Sequence, residues 1–434
     1  MTPAARLSAA IDILTSIEQG QMADRVLAGW AKANRYAGSK DRASIQERVF
    51  DILRNRARFV RAMGMDTPRA MVVASRHIGE GASFEDVMME FNGARFAPAP
   101  LDKEEEAALY DAIAKLDGLT ETEALNLPVW LQPHFEEAFG KNWTVEVAAL
   151  NERAPVDLRA NAARTHRESV QFQLKDEGIE TSPCTYSPWG LRTEMAARVT
   201  HTKIFKQGLL EIQDEGSQLS CLLAGAKKGE QWVDLCAGAG GKTLALLAEL
   251  EDEGRLIACD TDPRRLGRLQ PRVERATGRT VEMCILKPFD PALPDPDLGA
   301  FEGAMDGVFV DAPCSGSGAW RRQPEARWQL TQEKLDAYKT AQREVLARGA
   351  RLVRPGGRMI YVTCSVLKTE NEEQVAHFLA EFDEFVLGDW QSHWPPQLTS
   401  KGVKPDVAGG GALRLSPYTT KTDGFFIAIL ERRP

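Results

Sequence analysis

The second half of this chain predicts a doubly wound α/β fold with a mostly parallel sheet and its ligand at the C-terminal ends of the strands. Two observations predict it. After Gln213-Asp214-Glu215-Gly216-Ser217, short apolar runs alternate with helical patterns, as a parallel sheet flanked by helices requires. The first such run leads straight into a glycine-rich turn, the usual ligand position in a sheet of this kind.

At 434 residues and 43% hydrophobic content the chain can build more than one core. It divides into 1–126, helical with a connector; 127–205, a small α/β module; and 206–434, the α/β sheet domain. In the first part the stretch after Ser39 places Ile45, Val49, Ile52, Leu53, Phe59 and Val60 at helical spacing, opposite Arg42, Arg48, Arg54, Arg56, Arg58 and Arg61. Pro98-Ala99-Pro100 is a break and Asp102–Glu106 a charged helix start. Near Leu127-Pro128 the pattern changes, and residues 156–212 mix strand-like and helical segments.

In the sheet domain the strand candidates are Trp232–Leu235, Leu256–Cys259, Val281–Leu286, Gly307–Val310 and Met359–Val362. The longest helical pattern, Leu335–Leu352, stops at Pro355-Gly356-Gly357.

Net charge is −8, yet residues 1–70 hold twelve Lys/Arg against seven Asp/Glu, a local +5 that leaves −13 on the rest. A phosphate backbone responds to local charge, so the total does not exclude a nucleic-acid partner. The seven cysteines show no C-x-x-C spacing, which argues against a disulfide framework or a zinc site and for free thiols in a reducing cytosol. No early basic-then-apolar stretch marks a secretory signal, since Asp12 interrupts the only candidate, and no run reaches the ~18 apolar residues of a membrane helix. The expectation is a soluble cytoplasmic protein that does not engage a membrane.

The turn after the first strand reads Asp234-Leu235-Cys236-Ala237-Gly238-Ala239-Gly240-Gly241-Lys242-Thr243. A phosphate-binding P-loop needs Gly five positions before Gly241 and finds Cys236; a dinucleotide fingerprint from Gly238 needs Gly or Ala at 243 and finds Thr243. An S-adenosylmethionine loop remains, with Asp260 at the end of the next strand to accept hydrogen bonds from the ribose diol.

Two cysteines follow strand candidates: Cys314 in Asp311-Ala312-Pro313-Cys314-Ser315 and Cys364 in Thr363-Cys364-Ser365. In a doubly wound sheet the fourth strand neighbours the first and the fifth neighbours the fourth, which brings both thiols to the rim beside the glycine loop. A methyl-donor site with two thiols suits pyrimidine carbon 5. A thiolate adding to carbon 6 makes carbon 5 nucleophilic, and a second thiol can assist release. Asp311 is placed to hydrogen-bond N3 and the exocyclic amine of a flipped cytosine. The spacing does not say which cysteine attacks.

These blocks resemble the Nop/Sun family of RNA cytosine-5 methyltransferases, most nearly its bacterial RsmB-type branch acting on 16S ribosomal RNA. The resemblance runs through Leu158-Arg159-Ala160-Asn161, Gln213–Gln218, Cys236–Thr243, Asp311–Gly318, Arg321-Arg322, Arg327-Trp328, Arg354-Pro355-Gly356-Gly357, Thr363-Cys364-Ser365, Glu370-Asn371-Glu372 and Asp423-Gly424-Phe425-Phe426. It implies a Rossmann-like S-adenosylmethionine-dependent methyltransferase domain with a mostly parallel seven-stranded sheet, a preceding small α/β RNA-recognition module and an all-α NusB-like RNA-binding domain. It also implies that Cys364 is the nucleophile and that Cys314 aids adduct release. Cofactor contacts are carried over onto Cys236, Ala237, Gly238, Ala239, Gly240, Gly241, Lys242, Asp260 and Asp311. The family's loop usually has Pro where this chain has Ala239. Its acid after the third strand maps only onto Asp290, late behind Leu286-Lys287-Pro288-Phe289.

The implied partner is RNA, small-subunit ribosomal RNA before others, bound by a monomer without a metal. Arg321, Arg322 and Arg327 are expected to hold its phosphates. Arg264, Arg265, Arg268, Arg272, Arg275 and Arg279 form either a second phosphate patch or a solvated helix face. The competing readings are the same chemistry on transfer RNA or another RNA, a DNA cytosine methyltransferase, and an inactive RNA-binding assembly protein.

Overall fold

The computed structural model describes residues 1–434 except Met195, Asp252, Val403 and 406–410. The chain forms two compact units. One comprises Met1–Arg153 with Trp320–Thr331; the other comprises Ala154–Ala319 with Gln332–Pro434.

Among its described residues the first unit holds helices and turns only. Thr2 caps the helix Pro3–Glu18 through its side chain, with Pro at the start, where no amide partner is lost. Helix Ser39–Arg54 buries Ile45, Val49, Ile52 and Leu53, as its spacing predicts; the chain breaks at Asn55, and Arg56–Met63 continues to Gly64, whose φ of 68° ends the helix. Leu7, Ile13, Val49, Phe59, Met71 and Leu109 share one core. Asp102 opens Lys103–Tyr110 with a reciprocal capping box to Glu105.

The expected basic face of this unit is largely turned to internal use. Arg48 pairs with Glu80, Arg56 with Glu18 and Asp66, and Arg54 donates to the Arg321 carbonyl at 3.1 Å. Arg58 and Arg61 are exposed.

The second unit contains two sheets. The smaller is antiparallel, in order β2-β3-β1-β4, from β1 (Val156–Ala160), β2 (Ser182–Pro183), β3 (Gly190–Thr193) and β4 (Leu210–Ile212). The larger has β5 (Gln231–Asp234), β6 (Arg255–Asp260), β7 (Glu282–Ile285), β8 (Met305–Asp311), β9 (Val353–Thr363), β10 (Phe385–Leu387), β11 (Leu413–Leu415) and β12 (Phe425–Arg432). Its main path is β10-β12-β9-β8-β5-β6-β7, seven strands, with β11 paired to β12 off that path. The five strands from β5 to β9 run parallel, whereas β12 lies antiparallel to β9. This is the Rossmann-like methyltransferase order expected, with β8 between β5 and β9.

Both faces of the large sheet are buried, so its strands read as continuous apolar runs. Val233, Val308, Val310, Met359 and Tyr361 enter one core; Trp232, Phe309, Ile360 and Val362 enter the other. A Cβ on Gly307 would stand 2.3 Å from the Trp232 ring, so that indole requires glycine on the neighbouring strand. Pro355-Gly356-Gly357 does not simply end a helix. The helix Gln332–Leu352 has already stopped, and these residues lie inside β9, with Gly356 at φ 72°.

Candidate active site

The glycine loop leaves β5 at Asp234. Gly238 and Gly240 sit at φ 56° and 87°, a region that glycine enters without penalty, and a Cβ on Gly240 would be 2.0 Å from Leu269. Asp260, at the end of β6, is 4% exposed; its carboxylate accepts from Gly238 N and Asp262 N, each at 2.8 Å. Two backbone donors leave further lone pairs for a diol. Asp234 Oδ2 accepts from Thr243 Oγ1 at 2.7 Å while Oδ1 is buried without a partner, and burial raises its pKa to about 7. A Cβ on Gly241 would meet nothing nearer than 3.9 Å. A glycine turn at the end of β5 and an acid with spare lone pairs at the end of β6 together fit S-adenosylmethionine.

The loop is braced from the smaller sheet. Arg159, on β1 and fully buried, donates to the Gly241 carbonyl at 2.8 Å and to Gln213 Oε1. The Leu158–Asn161 and Gln213 blocks therefore support the glycine turn, and Asn161 also donates to the Ala276 carbonyl at 3.0 Å. Arg272 and Arg275 both engage Glu211 on β4, which withdraws them from any phosphate; Arg264, Arg265 and Arg268 are exposed.

Across the strand ends, Lys242 Nζ lies 2.7 Å from Asp311 Oδ2 and 5.4 Å from the Phe425 ring centroid. Burial disfavours the ammonium, but Asp311 more than compensates, and the lysine pKa rises. Asp311 ends β8, three residues before Cys314; Cys364 follows β9 directly. Their sulfur atoms are 3.5 Å apart. The hydrogen bond to Cys364, then burial, pushes the Cys314 thiol well above its usual range.

Asp290 lies elsewhere. It is exposed, and its carboxylate accepts from Ala292 N at 2.9 Å, closing a local turn. The buried acids of that segment, Asp295 and Asp297, pair with Arg348 on the opposite core. Arg327 is a correction. It is 0% exposed inside the helical unit, donating to the Asn126 carbonyl at 2.7 Å and to Asn151 Oδ1 at 3.1 Å beneath the Trp320 ring, so it cannot reach a phosphate. Arg321, at 5% exposed, is likewise internal.

The family description 16S rRNA methyltransferase RsmB/F matches residues 221–431, and a ferredoxin-like RsmF/B domain matches 127–200. A probable ribosomal RNA small subunit methyltransferase B of Synechocystis sp. is 30% identical over 312 residues, covering 71% of this chain and 68% of that protein. The chain belongs to the RsmB/F methyltransferase family. Ribosomal RNA small subunit methyltransferase B of Pectobacterium carotovorum is 32% identical over 306 residues, 70% of this chain and 66% of its own, so these alignments span about two thirds of the relatives' length. The crystal structure of PH0851 matches with TM-score 0.78 at 25% identity, covering 100% of this chain and 99% of that one. A methyltransferase homologue from Pyrococcus horikoshii, at 24% identity and TM-score 0.58 over 72% of this chain and 97% of its own, shares the fold. As an RsmB/F member the protein is an S-adenosylmethionine-dependent methyltransferase. Among the described residues no helix is long and apolar enough to cross a membrane.

Proposed function

We propose that the protein methylates carbon 5 of a cytosine in RNA, small-subunit ribosomal RNA before other RNAs, through a covalent adduct between Cys364 and carbon 6. The observation that supports this reading is the thiol pair, 3.5 Å apart beyond β8 and β9. Asp311 and Lys242 close the gap between that pair and the glycine loop. S-adenosylmethionine supplies the electrophilic methyl group. Asp260, Asp311 and residues 236–242 hold it at the strand ends.

Cys364 attacks carbon 6, and Asp311 holds N3 and the amine of the cytosine, which makes carbon 5 electron-rich. The base must leave its stack to reach the thiol, which favours an RNA segment able to splay a nucleotide outward. After methyl transfer, water takes the carbon-5 proton, which restores the ring double bond and expels the Cys364 sulfur. Cys314, kept protonated, stands within hydrogen-bonding reach of that departing thiolate.

Variants assayed with labelled S-adenosylmethionine and 16S ribosomal RNA lacking the modification test this. Cys364→Ser should lose methyl transfer and form no adduct, and Cys314→Ser should accumulate a protein–RNA adduct. Full activity in Cys364→Ser would sink the assignment, and preferential labelling of transfer RNA would move the substrate.

A further inference from the structure

One buried carboxylate ties the two cysteine loops together. Glu370 is 0% exposed and follows β9 by seven residues. Ser315, the neighbour of Cys314, gives it two hydrogen bonds: N to Oε1 at 2.8 Å and Oγ to Oε2 at 2.5 Å. Ser365, the neighbour of Cys364, donates its Oγ to the same Oε2 at 2.5 Å. Gln342, from the helix Gln332–Leu352, adds Nε2 to Oε1 at 3.2 Å and also donates to the Pro313 carbonyl at 2.9 Å. Four polar groups converge on two oxygens; burial raises the Glu370 pKa, and the hydrogen bonds from Ser315, Ser365 and Gln342 oppose that rise.

The frame is continuous around this group. Ser317 Oγ lies 2.9 Å from Ser365 Oγ, and Gly318 N donates to the Cys364 carbonyl at 2.9 Å. Thr363 Oγ1 donates to Asn371 Oδ1 at 2.6 Å, Asn371 Nδ2 donates to the Ser365 carbonyl at 2.9 Å, and Tyr361 OH donates to the Glu370 carbonyl at 2.6 Å. Neither loop has regular structure of its own at the thiol, so the serine–glutamate bonds are what fix where each sulfur stands.

Resting on the cysteine-adduct reading above, we propose that Glu370 is a positioning residue. Acting through Ser315 and Ser365, it sets the separation of the two thiols and keeps them chemically unlike. Its negative charge acts on Cys314 and on the tyrosines 338 and 361. A negative group near Cys314 favours the neutral thiol there. Among the described residues the hydrogen-bond partners of this buried acid are serines and a glutamine, and a packing role would be met as well by an apolar side chain. Its bonds to both cysteine loops account for it.

The test compares wild type, Glu370→Gln, Ser315→Ala and Ser365→Ala in the full-length protein. The pH profile of iodoacetamide labelling is resolved for Cys314 and Cys364 by mass spectrometry without RNA, and kcat and KM are measured with RNA. Glu370→Gln should move Cys314 labelling to lower pH and cut kcat by about tenfold or more, with KM for S-adenosylmethionine nearly unchanged. If that variant does not fold, each serine variant, which removes a single donor, should show the same kcat loss at constant KM. Unchanged labelling profiles and unchanged kcat in the folded variants overturn the proposal. The labelling needs no substrate, so it can fail while Cys364→Ser still confirms the adduct, and it can succeed if the adduct reading falls.

Discussion

This chain carries two thiol pairs, and they differ in everything except their closeness. Cys259 and Cys284 stand in register on the parallel strands β6 and β7. The neighbouring Cys259 thiol lowers Cys284 to about 7, while Cys284 and burial push Cys259 up. Cys314 and Cys364 lie past the strand ends, in loops held by Glu370. By acidity alone Cys284 is the obvious nucleophile. It sits within β7, however, with Arg348, Asp295 and Asp297 as its charged surroundings, three strands from β8 in the sheet order and four from β9, whose ends lead to Cys314 and Cys364. A lowered pKa makes a thiolate, and only position makes it a catalyst.

The largest expected effect breaks or secures that contrast. Cys364→Ala should lower methyl transfer by about a thousandfold or more, because the proposed attack on carbon 6 is lost, whereas Cys284→Ala should stay within about twofold of wild type. A strong loss in Cys284→Ala with Cys364→Ala still active would reverse the roles of the pairs.

Next in size, Asp260→Asn should raise KM for S-adenosylmethionine by about ten- to a hundredfold with a smaller change in kcat, since the acid faces the cofactor and not the base. Steady-state kinetics at varied cofactor concentration separates the two, and an unchanged KM would remove Asp260 from the cofactor site.

A smaller effect concerns pH. Asp234 has a folded-state pKa raised from 3.8 to about 7, so the proton-bound carboxyl contributes stability that is present below 3.8 and lost as pH climbs toward 7. Melting temperature at a series of pH values should fall across that window in wild type, and the fall should shrink in Asp234→Asn. The smallest expected change sharpens the cysteine comparison itself. Iodoacetamide should label Cys284 with a midpoint near pH 7, while Cys314 remains unlabelled there.

Much of this was legible in the residues. Alternating apolar runs gave β5 to β9, and the parallel order that brings β8 between β5 and β9 predicted the convergence of Cys314 and Cys364. The glycine loop and Asp260 could be read because glycine at positive φ and an acid at a strand end leave local signatures. Glu370 could not be assigned, although its block was recognised, because its role consists of bonds to Ser315 and Gln342, 55 and 28 positions away. Arg327 misled for the complementary reason. An arginine beside a catalytic motif reads as a phosphate ligand, and nothing in the sequence says that Trp320–Thr331 packs into the helical unit instead. The pairing of Arg48 and Arg56 was equally invisible, since their acids, Glu80 and Glu18, lie outside the helices Ser39–Arg54 and Arg56–Met63.

The sequence by itself determined the sheet, the cofactor turn and the set of reactive side chains, because periodicity and local turn chemistry act over a few residues. Tertiary structure alone decided how close the two thiols stand, which arginines are spent inside the protein and which carboxylate joins the two cysteine loops. Those outcomes depend on burial and on partners far apart in the chain, and neither quantity is written in local order.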